Sequence, residues 1–209
     1  MEPVSLLEAK PHLRLDLDFT DDDIYIGALI KGAREYCEKY QSRTYITQTF
    51  DLYLDEFPRE LDRYRAYREF REQNYRPFAD FRQIAIKLLR PPLQSVTSVK
   101  YYDQYGAVNT LDPSTYIVDL VSEPGRILPA YGLTWPTTLL QPINGVVVRY
   151  IAGYSSDAAE VPPGVKQSML MLIGYWYENR EAATLERGVS QRLEFAIDAL
   201  LGQERVVQV

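Results

Sequence analysis

Nucleophilic catalysis needs a base held beside a serine, cysteine or threonine. This chain of 209 residues offers one histidine and one cysteine for that purpose. His12 follows Pro11 at the end of a short predicted helix, and no Gly-x-Ser-x-Gly elbow accompanies it. It reads as a surface or cap histidine rather than a triad member. Cys37 falls on the apolar face of a predicted helix, where a buried thiol is expected in place of a reactive thiolate. Asp16, Asp18, Asp21, Asp22 and Asp23 bring carboxylates close together, as a hard cation requires. They lack the glycine and the distant bidentate glutamate of a calcium loop, and helix capping accounts for the last three. Tyr131-Gly132-Leu133-Thr134-Trp135-Pro136 and Ala152-Gly153-Tyr154-Ser155-Ser156 are single-glycine turns, not phosphate cradles. No catalytic, metal or cofactor site is expected, and the chain reads as a non-enzyme.

One stretch carries stronger chemistry. Arg59 to Arg82 holds seven arginines against five acidic residues, a net charge of +2, interleaved with Tyr64, Tyr67, Phe70, Tyr75, Phe78 and Phe81. Basic residues with aromatics can neutralise phosphate and stack bases, so a nucleic-acid contact is one reading. The acids would repel phosphate, while Arg and Tyr are also the residues enriched where proteins grip each other. A protein-contacting arm is the favoured reading. The apolar positions are too few and irregular for the stretch to form its own core.

The remaining residues set out the frame that must position these groups. The composition is 46% hydrophobic and 25% charged, ordinary for a globular chain. A net charge of −6 argues against non-specific adhesion to nucleic acid or anionic membrane. One cysteine excludes an internal disulfide and fits a reducing compartment. The start Met1-Glu2-Pro3-Val4-Ser5 has no signal-peptide pattern, so an intracellular product is expected. The 17 tyrosines suit protein interfaces.

Ser5-Leu6-Leu7-Glu8 has the spacing of a capping box and opens a short helix that Pro11 curtails. Thr20 and the aspartates after it predict the start of a second helix, running from about Asp21 to about Gln41. Its apolar face is Ile26, Leu29, Ile30, Ala33, Cys37 and Tyr40. From Tyr45 the period becomes two: Ile46, Phe50, Leu52 and Leu54, then Ile84, Ile86 and Leu88. Val96–Tyr102 and Val108–Leu111 flank a turn at Asp103-Gln104-Tyr105-Gly106. Tyr116–Leu120, Arg126–Leu128 and Val146–Ile151 are further strands. After Pro162-Pro163 the helical period returns with Val165, Ser168, Met169, Leu172, Ile173 and Trp176, and Arg192–Leu201 forms a last helix closed by Gly202. The pattern predicts one α+β domain over 1–209. N-terminal helices (1–43) and C-terminal helices (160–209) share a core in which Ile26, Leu29, Ile30 and Ala33 face Leu172, Ile173 and Trp176. A β-rich insertion (44–154) of hairpins or a small antiparallel sheet carries the arm at 59–82.

Several pieces, in order, resemble the head–tail connector (adaptor) proteins of tailed bacteriophages and gene transfer agents. They are Ser5-Leu6-Leu7-Glu8-Ala9-Lys10 with His12-Leu13-Arg14, the Asp run, Ala33-Arg34-Glu35-Tyr36 and Tyr45-Ile46-Thr47-Gln48-Thr49-Phe50. Arg90-Pro91-Pro92-Leu93-Gln94-Ser95-Val96, Pro129-Ala130-Tyr131-Gly132 with Trp135-Pro136, and Val148-Arg149-Tyr150 with Ala152-Gly153-Tyr154 continue the series. Pro162 to Lys166, Trp176-Tyr177-Glu178-Asn179-Arg180-Glu181 and Ala199-Leu200-Leu201 complete it. The Arg59–Arg82 stretch is longer than that family's usual connection, and Gln203 to Val209 departs from its usual ending.

The resemblance implies a homo-oligomeric ring of about twelve copies in a virion neck. The ring would lie beneath a portal protein and above a stopper or tail-completion protein. DNA would pass through the channel without sequence-specific binding, with no cofactor and no membrane, and assembly would take place in the bacterial host cytoplasm. Within such a ring, Arg63, Tyr64, Tyr67, Arg68 and Arg71 of the arm, with Tyr131 and Trp135, are the candidate partner or subunit contacts. The alternative is a nucleic-acid-binding DNA-packaging factor acting through the Arg/Tyr-rich stretch.

Overall fold

A computed structural model describes residues 2–58, 84–180, 191–202 and 205–206. The fold is α+β, and the chain divides into two units, residues 1–48 with 153–209 and residues 49–152.

The first unit is helical. Helix α1 (Leu6–His12) opens on the capping box its sequence announces: the Ser5 side chain accepts from the Glu8 N–H, and Glu8 Oε2 accepts the Ser5 N–H at 2.7 Å. Helix α2 (Asp23–Gln41) ends at Ser42 in the left-handed conformation. Helix α3 (Pro163–Glu178) begins with proline at its first turn, and α4 (Gln191–Leu201) follows. Ile26, Ile30, Ala33 and Cys37 of α2 are buried in one cluster with Val165, Met169, Leu172 and Ile173 of α3 and Ile197 and Leu201 of α4. Leu29 and Trp176 pack against that cluster half-buried, and Trp176 meets Tyr36 edge-on at 6.2 Å. No described helix is long and apolar enough to cross a membrane.

Two positions depart from the sequence expectation. Helix α2 starts at Asp23, and its N-cap Asp22 makes no side-chain capping bond. Its carboxylate is taken by α3 instead. Tyr45 and Ile46, expected as the start of a strand, are buried in the helical cluster, and the strand begins at Gln48.

The second unit holds strands β1 (Gln48–Leu54), β2 (Ile86–Leu88), β3 (Leu93–Tyr102), β4 (Val108–Thr110), β5 (Tyr116–Asp119), β6 (Gly125–Pro129) and β7 (Val146–Ala152). They form a four-stranded sheet in the order β1-β7-β3-β4 and a three-stranded sheet in the order β2-β6-β5. Pairing is antiparallel, with Val99 opposite Val148 and Ile86 opposite Ile127. Alternation sets the core: Val99, Val146, Val148 and Tyr150 of one sheet, and Ile86, Leu88, Tyr116 and Ile127 of the other, join one buried cluster. Gly106 closes the β3–β4 turn with φ of 82°, the left-handed value the turn requires.

Candidate functional site

Among the described residues, Cys37, Asp22 and Asp23 are engaged in structure. Cys37 is buried, and burial, reinforced by the neighbouring Glu38, pushes its thiol up to about 12. At neutral pH it is a protonated small hydrophobe, not a nucleophile. His12 is exposed at the end of α1. Asp22 accepts hydrogen bonds from Tyr177 Oη at 2.5 Å and Arg180 Nη2 at 2.6 Å, and these two donors, Tyr177 first, hold its carboxyl below the usual range. Arg180 also lies over the rings of Tyr25 and Tyr177, 4.7 and 4.5 Å from their centroids. Asp23 pairs with the buried Lys10 at 2.7 Å, and Lys10 donates to the Leu17 carbonyl at 3.1 Å. Among the described residues, no group of three or more His, Cys, Asp or Glu is placed to hold a metal ion.

A buried polar network, unread in the sequence, ties the end of α2 to both flanking segments. Glu38 is only 5% exposed. It accepts from Arg34 Nη1 at 2.6 Å and from the Tyr45 N–H at 3.0 Å. Burial works against the Arg34 charge, but Glu38 and Glu2 outweigh it and raise its pKa above the ordinary value. Tyr45 Oη donates to Gln41 Oε1 at 2.7 Å, and Gln41 Nε2 donates to the Leu201 carbonyl of α4 at 2.8 Å. The Val206 N–H reaches the Gln41 carbonyl at 3.0 Å, and Tyr40 Oη donates to Asp198. The side-chain polar groups of Arg34, Glu38, Gln41 and Tyr45 are thus all engaged, the condition under which such a network rigidifies a core. Thr44 Oγ1 beside them is buried without a hydrogen-bond partner among the described residues.

What the molecule leaves free is surface. Tyr131 is fully exposed, whereas Trp135 is 7% exposed and belongs to the interior of the β unit. Its indole stacks on Phe57 with centroids 5.2 Å apart, and its N–H donates to the Ile84 carbonyl at 2.7 Å. The apolar ring and its one polar atom are both satisfied within the chain, so Trp135 is an anchor of its own unit and Tyr131 alone of this pair faces outward. The other candidate contacts, Arg63, Tyr64, Tyr67, Arg68 and Arg71, lie outside the described residues, as does the whole Arg59–Arg82 stretch. Further apolar side chains stand exposed where the sequence reading named none, among them Ile24 at 92% and Val121 at 93%. Residues in the connection between β6 and β7 do the same. The signal that would have exposed these is an apolar residue off its element's buried stripe.

No protein-family model matches the chain, and no curated relative does. Solved structures do match. A chain from the neck of an empty gene transfer agent particle, computed with C6 symmetry, superposes with a TM-score of 0.71 at 20% identity. The match covers 99% of this chain and 91% of that one. A chain from the virion of a native gene transfer agent particle gives 0.69 at 19% identity, over 99% and 91% of the two chains. One from the neck of a native particle, computed with C12 symmetry, gives 0.62 at 19% identity over 96% and 91%. Over nearly its whole length, this chain has the fold of a protein found in the neck of gene transfer agent particles.

Proposed function

We propose that this chain is a structural head–tail connector (adaptor) of a virion neck, a non-enzymatic component that works as a homo-oligomeric ring. The observation that carries the reading is the end-to-end fold match to neck assemblies with C6 and C12 symmetry. A ring of about twelve copies, docked under a portal protein and joined to a stopper or tail-completion protein, uses the properties described above. The helical unit supplies a stiff frame through its buried network, and exposed apolar side chains supply contact area. A net charge of −6 leaves DNA in the channel few phosphate-neutralising contacts to hold it. The Arg59–Arg82 stretch serves as an arm that contacts a neighbouring subunit or the portal, with Arg63, Tyr64, Tyr67, Arg68 and Arg71 as anchors.

Purification of particles from a strain carrying an affinity tag on this chain tests the role. The tagged chain should co-purify with portal and tail proteins and appear as a ring in images of the neck. A protein that stays monomeric in the presence of its portal and is absent from particles refutes it. Deleting Glu60 to Asp80 should weaken assembly while leaving the remainder folded. A defect confined to DNA retention that steepens with salt would instead assign the stretch to DNA packaging.

A further inference from the structure

The connection from β6 to β7 combines three properties that seldom meet. From Ile127 to Val148 there is no charged side chain, in a chain that is 25% charged. Leu133, Leu139 and Ile143 are 50, 64 and 68% exposed, and Tyr131 is fully so. Yet the backbone between them is held. Trp135 is fixed by Phe57 and Ile84. Leu140 bridges to Asp103, and the Gln104 N–H donates to the Leu139 carbonyl at 3.0 Å, which brings the exposed Tyr105 turn beside the loop. Gln141 Nε2 donates to the carbonyls of Ile143 and Asn144, and the Asn144 N–H to Asp55 Oδ1 at 3.0 Å. Loops generally carry polar residues where they meet water, and an apolar one collapses inward if it is free to. This one is pinned with its apolar side chains outward.

We infer that the Tyr131–Ile143 loop, with Tyr105 beside it, is a preformed docking surface for a second copy of this chain. The inference rests on the ring reading and names one of the two complementary surfaces that a cyclic ring requires. The occupant follows from charge. At a net charge of −6, two copies repel each other over most approaches. A stretch with no charged side chain of its own, whose flanking Asp55 and Asp103 carboxylates are engaged by backbone N–H groups, is where they can meet at low like-charge cost. Interface cores are depleted of charge and enriched in Tyr in the same way. Tyr105, Tyr131, Leu133, Leu139 and Ile143 together carry on the order of 600 Å² of exposed surface. A standard interface buries about 800 Å² per partner, so this loop suffices as the core of one contact, with the rest supplied by its rim. Because the backbone is already ordered, little loop entropy is lost on docking.

The test compares wild type with Leu139→Asp/Ile143→Asp and with Tyr131→Ser, following self-association against concentration by sedimentation and native mass spectrometry. Tyr131 is fully exposed, so its substitution keeps the test sound if the double variant fails to fold. Both variants should melt as wild type does, and the double variant should need at least ten-fold more protein to self-associate. Self-association unchanged in folded variants overturns the loop assignment and leaves the ring reading intact. A wild type that never self-associates, free or on particles, overturns both. Flotation of wild type with phosphatidylcholine vesicles, lost in the variants while self-association persists, would assign the loop to a lipid surface and overturn the inference.

Discussion

Removing the Glu38 carboxylate should cost this protein more stability than removing any exposed charge. Glu38→Ala deprives Arg34 Nη1 of its partner at 2.6 Å and leaves the Tyr45 N–H with none at 3.0 Å. An orphaned buried donor costs about 1–3 kcal/mol, and breaking a buried ion pair by deleting one member about 3–5 kcal/mol. The two overlap, and Arg34 keeps Glu2 at 2.7 Å, so the total should be about 3–4 kcal/mol. Glu38→Gln preserves an acceptor for Tyr45 and should cost about 1–2 kcal/mol. Glu2→Ala removes a partner whose side chain is 35% exposed and should cost less than about 1 kcal/mol. Urea titration reads all three as midpoint shifts at a constant slope. The reasoning is refuted if Glu38→Ala costs under about 1 kcal/mol, or if Glu2→Ala matches it.

Three further outcomes are expected. Cys37, with its thiol pushed up to about 12, should resist alkylation at neutral pH in the native protein and react at once in denaturant; fast native labelling would show that α2 opens readily. Gly153 has φ of 129°, and a Cβ there would meet the Ile46 and Thr47 backbone at 2.7 Å, so Gly153→Ala should lower stability by about 1–3 kcal/mol on thermal melting. Hydrogen bonds from Ser122, then Arg126, hold Asp119 well below the usual carboxylate range. Its contribution is therefore present above the ordinary Asp value and fades as pH falls toward the group's own lower one, so the gap between wild type and Asp119→Asn should narrow on acidification. A gap that widens in acid would reverse the assignment.

The apolar periodicity made α2, α3 and most strands legible, because Ile26, Ile30, Ala33, Leu172 and Ile173 each repeat at the spacing of the face they bury. What escaped were residues whose partners lie far along the chain. Asp22 reads as a helix cap until Tyr177 and Arg180 claim it. Gln41 looks like a solvent-facing position, since nothing nearby in sequence announces the Leu201 carbonyl as its partner. Glu38 has Arg34 and Tyr45 within seven residues, and what the sequence hides there is the burial of the pair. Tyr131 and Trp135 stand four positions apart in the same uncharged stretch, and only the Ile84 carbonyl and the Phe57 ring decide which of them turns inward.

The helical unit sends the chain out and receives it back on adjacent rungs. Ile46 and Ser155 form a parallel bridge, with the Thr47 N–H on the Ser155 carbonyl and the Tyr154 N–H on the Tyr45 carbonyl, both at 3.1 Å. Ends that already lie side by side make the excursion between them exchangeable, since a longer or shorter replacement changes the closure entropy by only about 0.6 kcal/mol per doubling. Residues 49–152, a compact unit of their own, are therefore expected to tolerate exchange as a cassette. Lineages sharing this frame are expected to diverge fastest within the cassette, fitting it to new partners while the helices stay recognisable.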